Sequence, residues 1–163
     1  MAANRLIESL VWILSALLLI LFIPPDRRKE AALSFLFMQF IAWILGLTAV
    51  EMRFLSYPDR FFAAATRTNL TFEFCALPTI SAIYNVRFPN DASRLLKIRY
   101  MLAFPTLMTA LEWLISVHTS LIRYYSWNLW WTWISEFAVL LGGYWFYRWF
   151  FRVRASRRKT VRV

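Results

Sequence analysis

Five apolar runs occupy almost the whole chain, at approximately 6–23, 31–52, 61–84, 99–121 and 128–148. Each is close to the length of about 20 helical residues that crosses about 30 Å of hydrocarbon. A backbone placed there must satisfy its own amides, which a helix does within one segment, so the runs are read as transmembrane helices. Charged and turn-forming stretches separate them: IPPDRRKE, RFLSYPDR, NVRFPNDASRLLK and HTSLIRYYSWN. These are short hairpin connections that leave no segment for a soluble domain. The expected fold is therefore an all-α integral membrane protein, a single five-helix transmembrane domain over residues 1–150 with a basic tail at 151–163. No internal repeat or low-complexity tract interrupts it.

Composition agrees. Of 163 residues 60% are hydrophobic and 19% aromatic, well above a soluble domain. One cysteine, Cys75, excludes an internal disulfide framework, and one histidine, His118, excludes a multi-histidine metal centre. The first run has Arg5 before an apolar core, as a signal peptide does. No small-x-small cleavage site follows it, only IPPDRRKE, and it is read as a retained helix.

The basic residues are unevenly shared between the connections. Arg27, Arg28 and Lys29 follow run 1, Arg87, Arg94, Lys97 and Arg99 follow run 3, and a further basic cluster fills the tail. The other side has Arg5, Arg53, Arg60 and Arg123, with Arg67 assigned to helix 3. By the positive-inside rule this puts the N-terminus outside and the C-terminus in the cytoplasm, and the odd helix number agrees. The net charge of +10 thus needs no nucleic acid. The tail FFRVRASRRKTVRV would lie on anionic lipid, where each basic residue gains about 1 kcal/mol.

Against this background the stretch TFEFCALPTI, residues 71–80, stands out, because Glu73 lies near the middle of an apolar run. A charge at a helix centre costs about 2.5–3.5 kcal/mol on insertion scales, so such groups face the bundle interior and find partners. Thr66 and Asn69 precede Glu73 at helical spacing. On the fourth run Pro105, Thr109, Glu112, Ser116 and Thr119 make a polar stripe. The fifth has Asn128, Thr132, Ser135 and Glu136, and the second ends with Thr48 and Glu51. Glu73 and Glu112 are nearly equidistant from the turn at Asp91, as are Pro78 and Pro105, so each pair lies at one level of an antiparallel hairpin. Glu136 falls within roughly 5–8 Å of the glutamate level at a rise of about 1.5 Å per residue. The prolines permit kinks on the cytoplasmic side, which suggests a pocket opening outward above them. Glu51 would sit near its mouth.

The bland reading is a structural network in which these acids pair with Arg67, Arg53, His118 or Arg123. Four acids against so few cations balance poorly, which points instead to protonation, a bound cation or a cationic ligand. His118 near a helix end, Cys75 as a packing residue and Gly142–Gly143 as a close helix contact need no further role. GxSxG, HExxH, paired intramembrane aspartates and Ser-Lys or Cys-His arrangements are all absent.

The stretches TFEFCALPTISAIYN and LEWLISVHTSLIRYYSWNLWWTWISEF resemble the small multi-spanning membrane proteins common in spore-forming Gram-positive bacteria, a family without an established biochemical activity. The resemblance covers roughly the C-terminal two-thirds and implies a bacterial cytoplasmic membrane and a link to sporulation. It supplies no catalytic residue and no cofactor. The sequence thus points to an interior polar site of Glu73, Glu112, Glu136, Asn69, Thr109 and Arg67, with Glu51 at its mouth, for a cation, proton or small polar solute. The alternatives are a non-catalytic partner in a larger membrane assembly and, third, an intramembrane enzyme. The small size of the chain favours a homo-oligomer or larger complex.

Overall fold

A computed structural model describes residues 2–160, with side chains from residue 3 to residue 151. It contains five α-helices: α1 (Ala2–Phe22), α2 (Arg28–Glu51), α3 (Leu77–Val86), α4 (Arg94–His118) and α5 (Leu129–Thr160). Among the described residues, three stretches are long and apolar enough to cross a membrane: Ala3–Phe22, Pro25–Glu51 and Arg94–His118. In α5 the Trp, Tyr, Thr and Ser content dilutes a sufficient length. α5 also runs through the expected boundary at residue 150. The side chains of the basic tail beyond Phe151, and with them its expected lipid contact, lie outside the described residues.

The third apolar run differs most from expectation. Residues 57–69 are not helical; the helix begins at residue 70, so Arg67 lies in a loop. The reason is local chemistry that competes with the helix. The Arg60 guanidinium donates to the backbone carbonyls of Tyr57 (2.6 Å), Thr66 (2.8 Å) and Ala63 (3.2 Å), and Phe62 has φ 56°. The Asn69 side chain then accepts from the Phe72 N–H at 2.9 Å, capping the new helix as short polar residues do. Residues 70–86 span about 25 Å at a rise of about 1.5 Å per residue, short of a full crossing.

That helix is also irregular. Phe72–Ala76 form a π turn, closed by a bond from the Leu77 N–H to the Phe72 carbonyl. Pro78 follows and has no N–H to give to the Phe74 carbonyl, four residues back. The Gln39 amide of α2 donates to that carbonyl instead, at 3.4 Å. A residue that breaks the ladder is thus answered from the neighbouring helix.

α3 is the centre of the bundle. Every one of its residues except Ile80 is buried, and α1, α2 and α5 pack around it. Gly143 allows this closeness on α5, since a Cβ there would meet Met38 Cε at 3.0 Å and Ser81 Oγ at 3.5 Å; Gly142 faces open space. The expected close contact therefore belongs to Gly143. Asn85 of α3 donates to Ser34 of α2 at 3.0 Å inside the same packing. α4 lies mainly on α5 and reaches α3 through aromatic rings, Tyr84 packing on Tyr100 and Phe104 at centroid distances of 5.3 and 5.2 Å; beside them Phe88, just beyond α3, stacks on Tyr144 of α5 at 4.1 Å. Such pairs contribute about 0.5–1.5 kcal/mol each.

The two ends of the bundle are closed differently. At one end Pro24 and Pro25 break the chain between α1 and α2, and Arg27 donates to Val86 O and Tyr147 Oη and pairs with Glu30 at 2.8 Å. At the other end the connections before α3 and before α5 meet in a two-stranded antiparallel ribbon, β1 (Leu55–Ser56) and β2 (Arg123–Tyr124), with Leu55 opposite Tyr124. Leu55, Tyr57 and Ile122 form a small apolar cluster under it. This ribbon caps the end on which an open pocket mouth was expected.

Candidate functional site

The π turn, α4 and α5 bring Glu73, Glu112 and Glu136 to one cavity of about 240 Å³ between α2, α3 and the ribbon-side halves of α4 and α5. Among the described residues, no lysine, arginine or histidine lines it. The three carboxylates are held very differently.

Glu73 is 1% exposed, and among the described residues neither of its oxygens makes a hydrogen bond of good geometry, the buried Thr68 hydroxyl being its polar neighbour. Its carboxylate lies against the backbone of α2 at Gly46, where a Cβ would fall on Oε1 and Cδ. Gly46 is thus the reason the group fits. Glu136, 3% exposed, accepts from Thr109 Oγ1 at 2.9 Å through Oε2, while its Oε1 is unpartnered. Glu112 is half-buried and well bonded: Oε1 accepts from Tyr124 Oη at 2.5 Å and from Thr132 Oγ1 at 3.0 Å. Thr132 in turn accepts from Trp127 Nε1 at 2.9 Å. Burial first, then the nearby glutamates, push the phenols of Tyr57 and Tyr124 in the capping loops well above their ordinary range. Tyr124 therefore stays a neutral donor to Glu112.

The other expected site residues are elsewhere. Asn69 is the helix cap described above, not a cavity residue. Thr109 takes part only through Glu136. Arg67 and Glu51 pair with each other at 3.7 Å, 79% and 80% exposed, beside a separate surface depression. The loop that replaced the first turns of helix 3 carries Arg67 to Glu51, so the Glu73–Arg67 pair of the structural-network alternative is not formed. Ser116 in the ribbon-side half of the α4 stripe turns back to the Trp113 carbonyl, and His118 sits exposed on the Leu114 carbonyl. Among the described residues, no three His, Cys, Asp or Glu side chains converge closely enough to hold a metal ion.

Several neighbours were not foreseen from sequence. Gly46 reads as an ordinary packing residue in an apolar run, and Tyr57, Tyr124 and Trp127 as interfacial aromatics; only the ribbon brings them inward. Glu8 was also missed, although a lone glutamate in the first apolar run was a legible signal. It is buried and accepts from Thr71 Oγ1 and the Phe61 N–H, each at 3.3 Å, with Arg5 at 3.4 Å. Its partners make it a fastener between α1 and the capping loop, apart from the cavity.

Compared with protein-family models, with curated proteins and with solved structures, the chain matches none.

Proposed function

We propose that the chain is a multi-pass protein of the bacterial cytoplasmic membrane whose interior site, built on Glu73, Glu112 and Glu136, binds or conducts a cation, a proton or a small polar solute. The observation that carries this reading is Glu73: a fully buried carboxylate with no hydrogen bond of good geometry, beside a cavity whose lining, among the described residues, includes no cation. A buried unsatisfied acceptor costs about 1–3 kcal/mol, and intramembrane ionisable groups are functional by default. The assembly-partner reading would have the glutamates on outward helix faces, ready for another subunit. Glu73 and Glu136 turn inward.

The test is flux in proteoliposomes. Wild-type protein should dissipate an imposed proton or monovalent-cation gradient, and Glu73→Gln should lower the rate at least tenfold while inserting normally. Unchanged flux in the variant, or none in wild type under any gradient tried, transfers the case to the assembly-partner reading.

The proposed orientation, N-terminus outside and C-terminus cytoplasmic, is supported by the ends of the bundle. Arg27 and Arg87 sit together at one end, with Arg87 donating to the Phe22 carbonyl, while Arg5, Arg60 and Arg123 belong to the ribbon end. In a Cys75→Ala background, Asp91→Cys should label only from the cytoplasmic side and Met52→Cys only from outside. Met52 is 60% exposed, unlike the buried Tyr57 nearby. The opposite labelling pattern overturns the charge argument.

A further inference from the structure

We infer that the ligand of this site is an organic ammonium ion with an apolar tail, its head among the three glutamates and its tail leaving sideways between α2 and α5. The inference rests on the proposed binding role of the glutamates and gives that role a substrate class.

The lining gives the head. Besides three carboxylates, the cavity presents Phe54, Tyr57, Phe72 and Trp127, with Phe54 and Trp127 stacked at 5.5 Å. Carboxylates together with aromatic faces suit an ammonium whose charge is spread over C–H groups, the chemistry of aromatic cages. A hard metal ion requires several oxygen ligands converging within about 2.0–2.6 Å, and among the described residues no three His, Cys, Asp or Glu side chains converge in this way. An anionic or zwitterionic head is disfavoured by the same lining, because no arginine or lysine is present to hold a phosphate. Glu73 supplies the independent sign of a missing partner. It is nine-tenths buried and more, it borders the cavity, and among the described residues neither oxygen makes a hydrogen bond of good geometry.

The shape gives the tail. At about 240 Å³ the cavity is just under the range of about 300–1,000 Å³ that encloses a drug-sized ligand. It has room for a head group and little more. The ribbon closes its outer end through Leu55, Tyr57 and Tyr124. The most exposed of its lining residues are Leu45 (47% exposed) and Thr48 of α2, and the lining of α5 includes the half-buried Ser135 and Val139, so we place its side opening between these two helices. Leu45 and Val139 make this gap apolar at the depth where a membrane would supply hydrocarbon. A chain attached to the bound head can leave there past Thr48 and Ser135, whose hydroxyls already donate to the Ile44 and Thr132 carbonyls.

Binding to purified protein in a nonionic detergent tests both halves, with four probes: decyltrimethylammonium, tetramethylammonium, decanol and decylphosphocholine. The first carries head and tail, the second the head alone, the third the tail alone, and the fourth the head and tail with a phosphate, as a zwitterionic lipid would present them. We expect decyltrimethylammonium to bind at least tenfold more tightly than each of the others. Glu73→Gln should weaken it at least tenfold, and Leu45→Trp, which fills the gap at an exposed position, should weaken it without changing tetramethylammonium binding.

Equal binding of tetramethylammonium and decyltrimethylammonium, or indifference to Leu45→Trp, overturns the lateral tail. Tighter binding of decylphosphocholine overturns the free-ammonium assignment in favour of a lipid head group. If no ammonium binds but cation flux is still lost in Glu73→Gln, the substrate class is wrong and the ion site stands. If ammonium binding and flux are both absent, the site reading fails as well. Because Leu45→Trp and the probe series on wild type do not depend on Glu73→Gln folding, the inference stays exposed to refutation if that variant is unstable.

Discussion

Glu73→Gln should melt in detergent at or slightly above the wild-type temperature, and Glu73→Leu should melt higher still. A buried ion pair broken on one side costs about 3–5 kcal/mol, because the remaining charge is stranded. That penalty cannot arise here, since Glu73 has no cationic partner and Arg67 is engaged with Glu51 at the surface. The amide keeps the shape and still leaves polar atoms without partners, so its effect on stability is small. Leucine removes the unsatisfied acceptors and should gain about 1–3 kcal/mol, the usual penalty of leaving such groups buried and unbonded. Thermal melts of the three proteins, purified side by side, measure this directly. A loss of several kcal/mol in Glu73→Gln would mean that the carboxylate anchors a structural cation, and the scaffold interpretation would replace the site. Stability gained together with binding lost is the expected signature of a group retained for function.

The second large effect is expected at Gly46. A methyl group there falls on the Glu73 carboxylate, and the surrounding helices cannot open without disturbing the α2–α3 packing at the centre of the bundle. Gly46→Ala should cost about 1–3 kcal/mol, as overpacking does, or displace the Glu73 carboxylate from its place in the cavity wall and abolish ligand binding. Gly46→Val should be worse. The diagnostic experiment is a double-mutant cycle. In a Glu73→Ala background the carboxylate is gone, so Gly46→Ala should become nearly neutral, with a coupling energy of about 1–3 kcal/mol between the two positions. Additive effects would show that the two residues do not meet.

The meeting of Glu73, Glu112 and Glu136 was legible because depth in a membrane hairpin follows from counting residues away from the turn. The symmetric placement of Glu73 and Glu112 about Asp91 and the rise per residue along α5 were enough. Arg67 was misread for a related reason: RFFAAATRTN has the apolar content of a helical turn, and nothing in its composition shows that Arg60 will take three backbone carbonyls for itself. Asn69 did announce the new start, since an asparagine three residues before a helical amide is a capping signal. Gly46 and Tyr124 were beyond sequence reasoning. One matters for the side chain it lacks, and the other reaches Glu112 only because two distant loops pair as strands.

The π turn at Phe72–Ala76 holds one residue more than a regular helix needs over the same length. Successive α-helical residues are about 100° apart around the axis, at about 3.6 per turn, so this surplus residue fixes the azimuth of everything before it relative to α3. Deleting a single residue from FEFCA would give a more regular helix by every local criterion. It would also swing the preceding segment by roughly a quarter turn, carrying the capping asparagine and the loop with it. The irregularity is therefore an angular setting: the bundle can be tightened or the carboxylate can face α2 at Gly46, and the sequence has taken the second.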